Sequence, residues 1–289
     1  MIVDAPGQRV RDGQARGLSA RRRSGTRATG GLDGERPPRS LAIVSGKGGV
    51  GKSLLAVNLS VAMARLAERR RVLLVDGDAG LANADLLLGW IPSFTLSDWI
   101  EGRVGFDELL TRGADRLDLL VSGPSESGAN LLARLAAGRP DDPFAARFAE
   151  HDLTVFDLGA GIGSSVVEVA CACDRVWLVA TPEPTSLADA YTMARRLVER
   201  RPEVDLELVV NRARDAEEGA RTHLALERMT RRFLDRPLPL RAVLPDDPAV
   251  RTAVARQVPL FDDAPRAPIS RRILLLAESI GEELAGATA

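Results

Sequence analysis

The chain has 289 residues, 45% hydrophobic and 27% charged, enough for one large α/β domain or two small ones with a packed core. Its 39 basic and 40 acidic residues leave a net charge of −1, which argues against a global field of the nucleic-acid-binding kind. Two cysteines one residue apart exclude a disulfide framework, no stretch approaches the ~20 apolar residues that span a bilayer, and no apolar run follows the N-terminal charges as in a secretory signal, so a cytoplasmic protein is expected.

Residues 1–39 are rich in Arg, Gly, Ser and Pro and poor in large apolar residues. They cannot bury enough surface to offset the entropy of ordering, and are expected to form a disordered basic arm. The folded domain is expected over 40–289. Leu41–Val44 is a continuous apolar run, as in a strand buried on both faces. A helix is predicted from about Lys52 to Ala67, with Leu55, Leu59, Ala62, Met63 and Leu66 at helical spacing. Further strands are predicted at Val72–Val75, Leu117–Val121, Leu153–Phe156, Val176–Ala180, Leu206–Val210 and Leu240–Leu244. Most are separated by helix-length segments. That alternation predicts a doubly wound, mostly parallel sheet flanked by helices, the architecture of a P-loop NTPase.

Between the first strand and first helix lie Gly46, Lys47, Gly48, Gly49, Val50, Gly51, Lys52 and Ser53, which match G-x-x-x-x-G-K-[ST]. Glycines let successive backbone N–H groups turn toward phosphate oxygens, and the helix directs its positive end at the same anion. Lys52 is expected to neutralise the β- and γ-phosphates, Ser53 to ligate Mg²⁺, and Leu54 to complete the nucleotide-binding run. ATP and Mg²⁺ are therefore the expected ligands. Lys47 is a second lysine that an ordinary phosphate loop does not need.

The strand Val72–Val75 ends in Asp76-Gly77-Asp78, and ligands of open α/β sheets bind beyond the carboxyl ends of strands. Asp78 is a candidate to orient an attacking water, and Asp76 to hold Mg²⁺ through its water shell. Asp157 follows another apolar strand and is the candidate Walker-B acid for Mg²⁺. Asn211 and Arg212 end a later strand, and Pro245 and Asp246 the last one; together they are candidates for the base pocket. Each of these pairs also reads as a simple turn.

Ser45 to Ser53 resembles the deviant Walker A motif of the MinD/ParA ATPases, a resemblance extending over residues 41–289. It implies that Lys47 reaches across an ATP-dependent homodimer to the partner's nucleotide, that Asp78 positions water, and that Asp157 is the Walker-B acid. It also implies a switch ATPase with catalytic residues Lys47, Lys52 and Asp78, and slow, partner-stimulated hydrolysis. Gly80–Gly89, Thr181–Tyr191 and Pro245–Arg251 are similar to the FlhG (FleN) group, which regulates flagellar number and placement. This implies a partner such as a flagellar GTPase of the FlhF type, or a flagellar transcription or switch component. Gln14–Leu18 matches only partly the FlhF-stimulating motif of that group: Gly13 replaces its Asp and Ser19 its Arg. A ParA-like partitioning ATPase, a MinD-like division-site regulator and an adaptor with negligible turnover are the alternatives. Nucleic acid is not expected as a partner; peripheral association with the inner face of the membrane or the cell pole is left open.

Near the C-terminus, Ile269, Ile273, Leu276, Ala277, Ile280 and Leu284 form one apolar stripe at helical spacing. The opposite surface mixes Arg271 and Arg272 with Glu278, Glu282 and Glu283, whereas a membrane-surface helix has a basic polar face. A helix packed on the domain core is expected. Cys171 and Cys173 read as helical, where they point about 200° apart and do not converge on one metal. His151 and His223 are expected to be structural or exposed.

Overall fold

The computed structural model describes residues 39–66, 70–78, 83–123 and 125–286. Residues 1–38 of the expected basic arm, with its partial Gln14–Leu18 motif, and residues 79–82, which include the start of the Gly80–Gly89 segment, lie outside the described residues.

The strands are β1 (Ser40–Val44), β2 (Val72–Gly77), β3 (Thr111–Arg112), β4 (Leu117–Val121), β5 (Leu153–Leu158), β6 (Arg175–Ala180), β7 (Asp205–Ala213) and β8 (Leu240–Pro245). They form one sheet in the order β3-β4-β2-β5-β1-β6-β7-β8. Every pairing is parallel except the antiparallel β3–β4 edge. The helices are α1 (Lys52–Arg65), α2 (Ala84–Leu88), α3 (Leu96–Ile100), α4 (Glu126–Ala137), α5 (Ser164–Ala172), α6 (Pro184–Arg200), α7 (Ala216–Leu234), α8 (Pro248–Arg256), α9 (Leu260–Asp263) and α10 (Pro268–Gly286).

The apolar runs work as two interleaved faces, because successive strand side chains point to opposite sides. Leu41 and Ile43 join a core with α1, α8 and α10, while Ala42 and Val44 join a second core with α4, α5, α6 and α7. Val72 and Leu74 of β2 likewise face the first core, and Leu73 and Val75 the second. Each predicted strand is present, most running one to three residues past the apolar run. β7 is the longest, and its pairing with β8 is irregular between Val210 and Ala213, where Arg212 has φ 58°. β3 has only two residues and carries no apolar run, so periodicity does not reveal it.

Helix α1 is buried at 11 of its 14 residues, since the sheet covers one side and α10 the other. All six residues of the C-terminal stripe are buried in that contact. The helix packs on the core as expected, and its apolar face is taken up by protein. Among the described residues no helix is long and apolar enough to cross a membrane. Cys171 and Cys173 point to different carbonyls, those of Leu197 and Val169, and burial pushes both thiols up.

Candidate functional site

The phosphate loop leaves β1 at Ser45 and enters α1 at Lys52. Gly49 (φ 78°) and Gly51 (φ 92°) take left-handed backbone, which turns the chain into the helix. Gly51 is the N-cap of α1, with no side-chain cap and no acid in the first turn. The first N–H groups of the helix are therefore left for an anion. Space is tight around the loop: a methyl at Gly51 would stand 2.3 Å from Asn211 Nδ2, and one at Gly46 2.1 Å from the Asp189 carbonyl oxygen. The Ser45 carbonyl accepts from Gly161 N at 3.1 Å, linking this loop to the β5–α5 loop.

The two lysines are placed differently. Lys52 is buried at the start of α1. Lys47 is about one-third exposed; its Nζ donates to Glu183 Oε2 at 2.8 Å and Thr185 Oγ1 at 3.2 Å, at the start of α6. That bond holds the Glu183 carboxyl below its ordinary range.

Asp76 and Asp157 are register partners at the carboxyl ends of β2 and β5, and both are buried. Burial pushes Asp157 up to about 7, the Lys52 charge pulling against it and neighbouring Asp76 pushing with it. Ser53, like Lys52, opposes that rise, while Asp157 Oδ1 has no hydrogen-bond partner among the described residues. Asp76 is raised by burial as well, opposed by bonds from the backbone N–H groups of Ala84, Asp78 and Asn83. Asp78 lies against the β5–α5 loop: a methyl at Gly159 would be 3.5 Å from its Oδ1.

Beside the loop lies a cavity of about 690 Å³. It brings together Gly49, Gly51, Lys52, Ser53 and Leu54 with Asn211, Arg212, Pro245 and Asp246. The candidate base residues thus flank the phosphate loop, while Gly46, Lys47, Gly48, Val50, Asp76, Asp78 and Asp157 are not in its lining. Asn211 is more constrained than its strand-end position suggests. Its Nδ2 donates to Val50 O at 2.8 Å and its Oδ1 accepts from Arg212 N at 2.9 Å, so it braces the loop from behind. Arg212 and Asp246 pair loosely at 3.8 Å across the mouth. Sequence reasoning named no apolar wall, yet Leu87, Val250, Val254 and Ile269 supply one. The i, i+4 pair Val250 and Val254 on α8 was its only local signal. A larger cleft of about 1200 Å³ between α4 and α5 contains none of the phosphate-loop residues.

Residues 41–260 match the model of the CobQ/CobB/MinD/ParA nucleotide binding domain. The antiactivator FleN of Pseudomonas aeruginosa is 36% identical over 247 residues, covering 84% of this chain and 86% of FleN. The flagellum site-determining protein YlxH of Helicobacter pylori is 29% identical, over 66% of this chain and 64% of YlxH. Among solved structures, the septum site-determining protein MinD of Pyrococcus horikoshii, complexed with Mg-ADP, superposes with a TM-score of 0.69 at 25% identity. That match covers 87% of this chain and 98% of MinD.

Proposed function

The chain belongs to the CobQ/CobB/MinD/ParA nucleotide-binding family, and from that premise we propose that it is an ATP-hydrolysing switch that dimerises on ATP. The observation that carries this reading is the separation of the two lysines. Lys52 lines the nucleotide cavity of its own chain, whereas Lys47 stands outside that lining, half-turned to solvent on Glu183. A lysine so placed fits a role toward a second subunit's phosphates better than toward its own.

The donor set suits Mg²⁺-ATP. Ser53 and Asp157 form a hard-oxygen pair with one buried carboxylate oxygen unpartnered, as a small divalent cation or its water shell requires. Bound there, Mg²⁺ would neutralise phosphate charge. The loop N–H groups and Lys52 hold and offset the β- and γ-phosphates. Leu54, Arg212, Pro245 and Asp246 surround the base, with Asn211 bracing the loop. Asp78 orients the water for in-line attack; with that single carboxylate, turnover is slow and rises when a partner docks on the dimer.

The likeness to FleN and YlxH supports a role in the number or placement of flagella. The partner would then be a flagellar GTPase of the FlhF type or a flagellar transcription or switch component, and the dimer would act in the cytoplasm, at the inner membrane face or the pole. Light scattering on the protein with ATP, ADP and no nucleotide, using Asp78→Ala to block turnover, tests the switch. A dimer with ATP alone is expected; an ATP-bound protein that stays monomeric would sink the mechanism.

A further inference from the structure

The neighbouring acids Asp76 and Asp157 differ in what their oxygens touch. Asp157 Oδ1 has no partner among the described residues. Both oxygens of Asp76 are engaged by backbone. Oδ1 accepts from Asp78 N at 3.1 Å, and Oδ2 from Asn83 N and Ala84 N, each at 2.9 Å. One fully buried side chain thus joins the end of β2 to the first turn of α2, and grips the N–H of the residue beside Gly159. Hydrogen bonds to an ionised acceptor are roughly twice as strong as neutral ones. All three partners are donors, so the geometry calls for two acceptor oxygens. An asparagine supplies one, and sets an NH₂ against an N–H.

We propose that Asp76 is a positioning residue: its carboxylate clamps Asp78 and the start of α2 into one unit, without needing a metal. The metal-facing pair is then Asp157 and Ser53. The catalytic consequence rests on the reading of Asp78 as the water-orienting group; the clamp does not.

Amide hydrogen exchange on the full-length protein, free of nucleotide and treated with EDTA, tests the clamp. Asp76→Asn is expected to speed exchange at Asp78, Asn83 and Ala84 by about tenfold or more, with β1 and β6 protection unchanged as the check on folding. Asp157→Asn is expected to leave those three amides within about twofold of the wild type. Asp76→Ser, smaller and neutral, should loosen the same amides. With Mg²⁺-ATP, Asp76→Asn should lower kcat about tenfold while KM moves little, as for a misplaced group rather than lost binding. Exchange that is unchanged without metal and rises only with Mg²⁺ present would overturn the proposal, as would equal loosening in the Asp157→Asn protein. If the clamp loosens as expected but Asp78→Ala hydrolyses ATP at the wild-type rate, the clamp stands and the reading of Asp78 fails.

Discussion

At the amino-terminal edge of the sheet, Arg71 reaches Asp118 at 3.3 Å and Glu150 at 2.7 Å, and His151 Nε2 meets Asp118 at 2.9 Å. Farther along that edge, Asp174 takes bonds from Arg39 N, Ser40 N and Ser40 Oγ, and Arg175 contacts Asp205, Glu207 and Glu283. The carboxyl edge is the reverse. Among the described residues, Ser122 Oγ, Asp157 Oδ1 and Thr181 Oγ1 are buried without a hydrogen-bond partner, at the ends of β4, β5 and β6. Both edges are rich in polar groups. Where charges are matched within the chain they tie elements together; where buried polar atoms are left over, something else is meant to meet them. Asp118, Glu150 and His151 lie close enough to suggest a cation site. Arg71 already supplies the positive charge there, so the cluster belongs to the closed edge.

The contrast breaks most visibly at Lys52. Lys52→Ala is expected to lower kcat/KM for ATP on the order of a thousandfold, measured by coupled ATPase assay. The thermal midpoint should fall, since the variant leaves the buried Asp76 and Asp157 carboxyls without the Lys52 charge that opposes them. At the other edge, Asp118→Ala should cost about 3 kcal/mol in urea unfolding at neutral pH, because it strands the buried His151 and leaves the partly exposed Arg71 with Glu150 alone, with ATP affinity unchanged. His151 and Arg71 hold the Asp118 carboxyl below its ordinary range despite burial. The stability it lends is therefore complete above the ordinary aspartate range and lost as pH falls through the depressed value. Wild-type and variant unfolding curves should converge in acid; a constant gap at all pH values would contradict this. The smallest effect is expected at Ser122. Its hydroxyl has no partner among the described residues, so Ser122→Ala should shift stability by no more than about 0.5 kcal/mol, whereas a bonded buried hydroxyl would cost more.

The two edges were not equally legible. Gly46–Ser53 is eight consecutive residues whose chemistry depends on their order, and the apolar strands around it repeat with clear spacing, so loop and sheet could be read directly. Asp76 and Asp157 were found because strand ends are where ligands bind, but nothing local distinguished an acid engaged by backbone from one left open. The bond from Asn211 to Val50 spans 161 positions. Arg71, Asp118 and His151 come from three separate segments, and only the sheet's crossovers bring them together. Sequence periodicity carries local geometry; it does not carry which distant donor finds which acceptor.

Gly46 has a mechanical consequence. With no room for even a methyl between it and the Asp189 carbonyl, the first residue of the phosphate loop rides directly on the backbone of α6. Lys47 adds a second rivet at the start of the same helix, through Glu183 and Thr185. The loop cannot be pressed toward α6 at this point unless that 17-residue helix gives way with it.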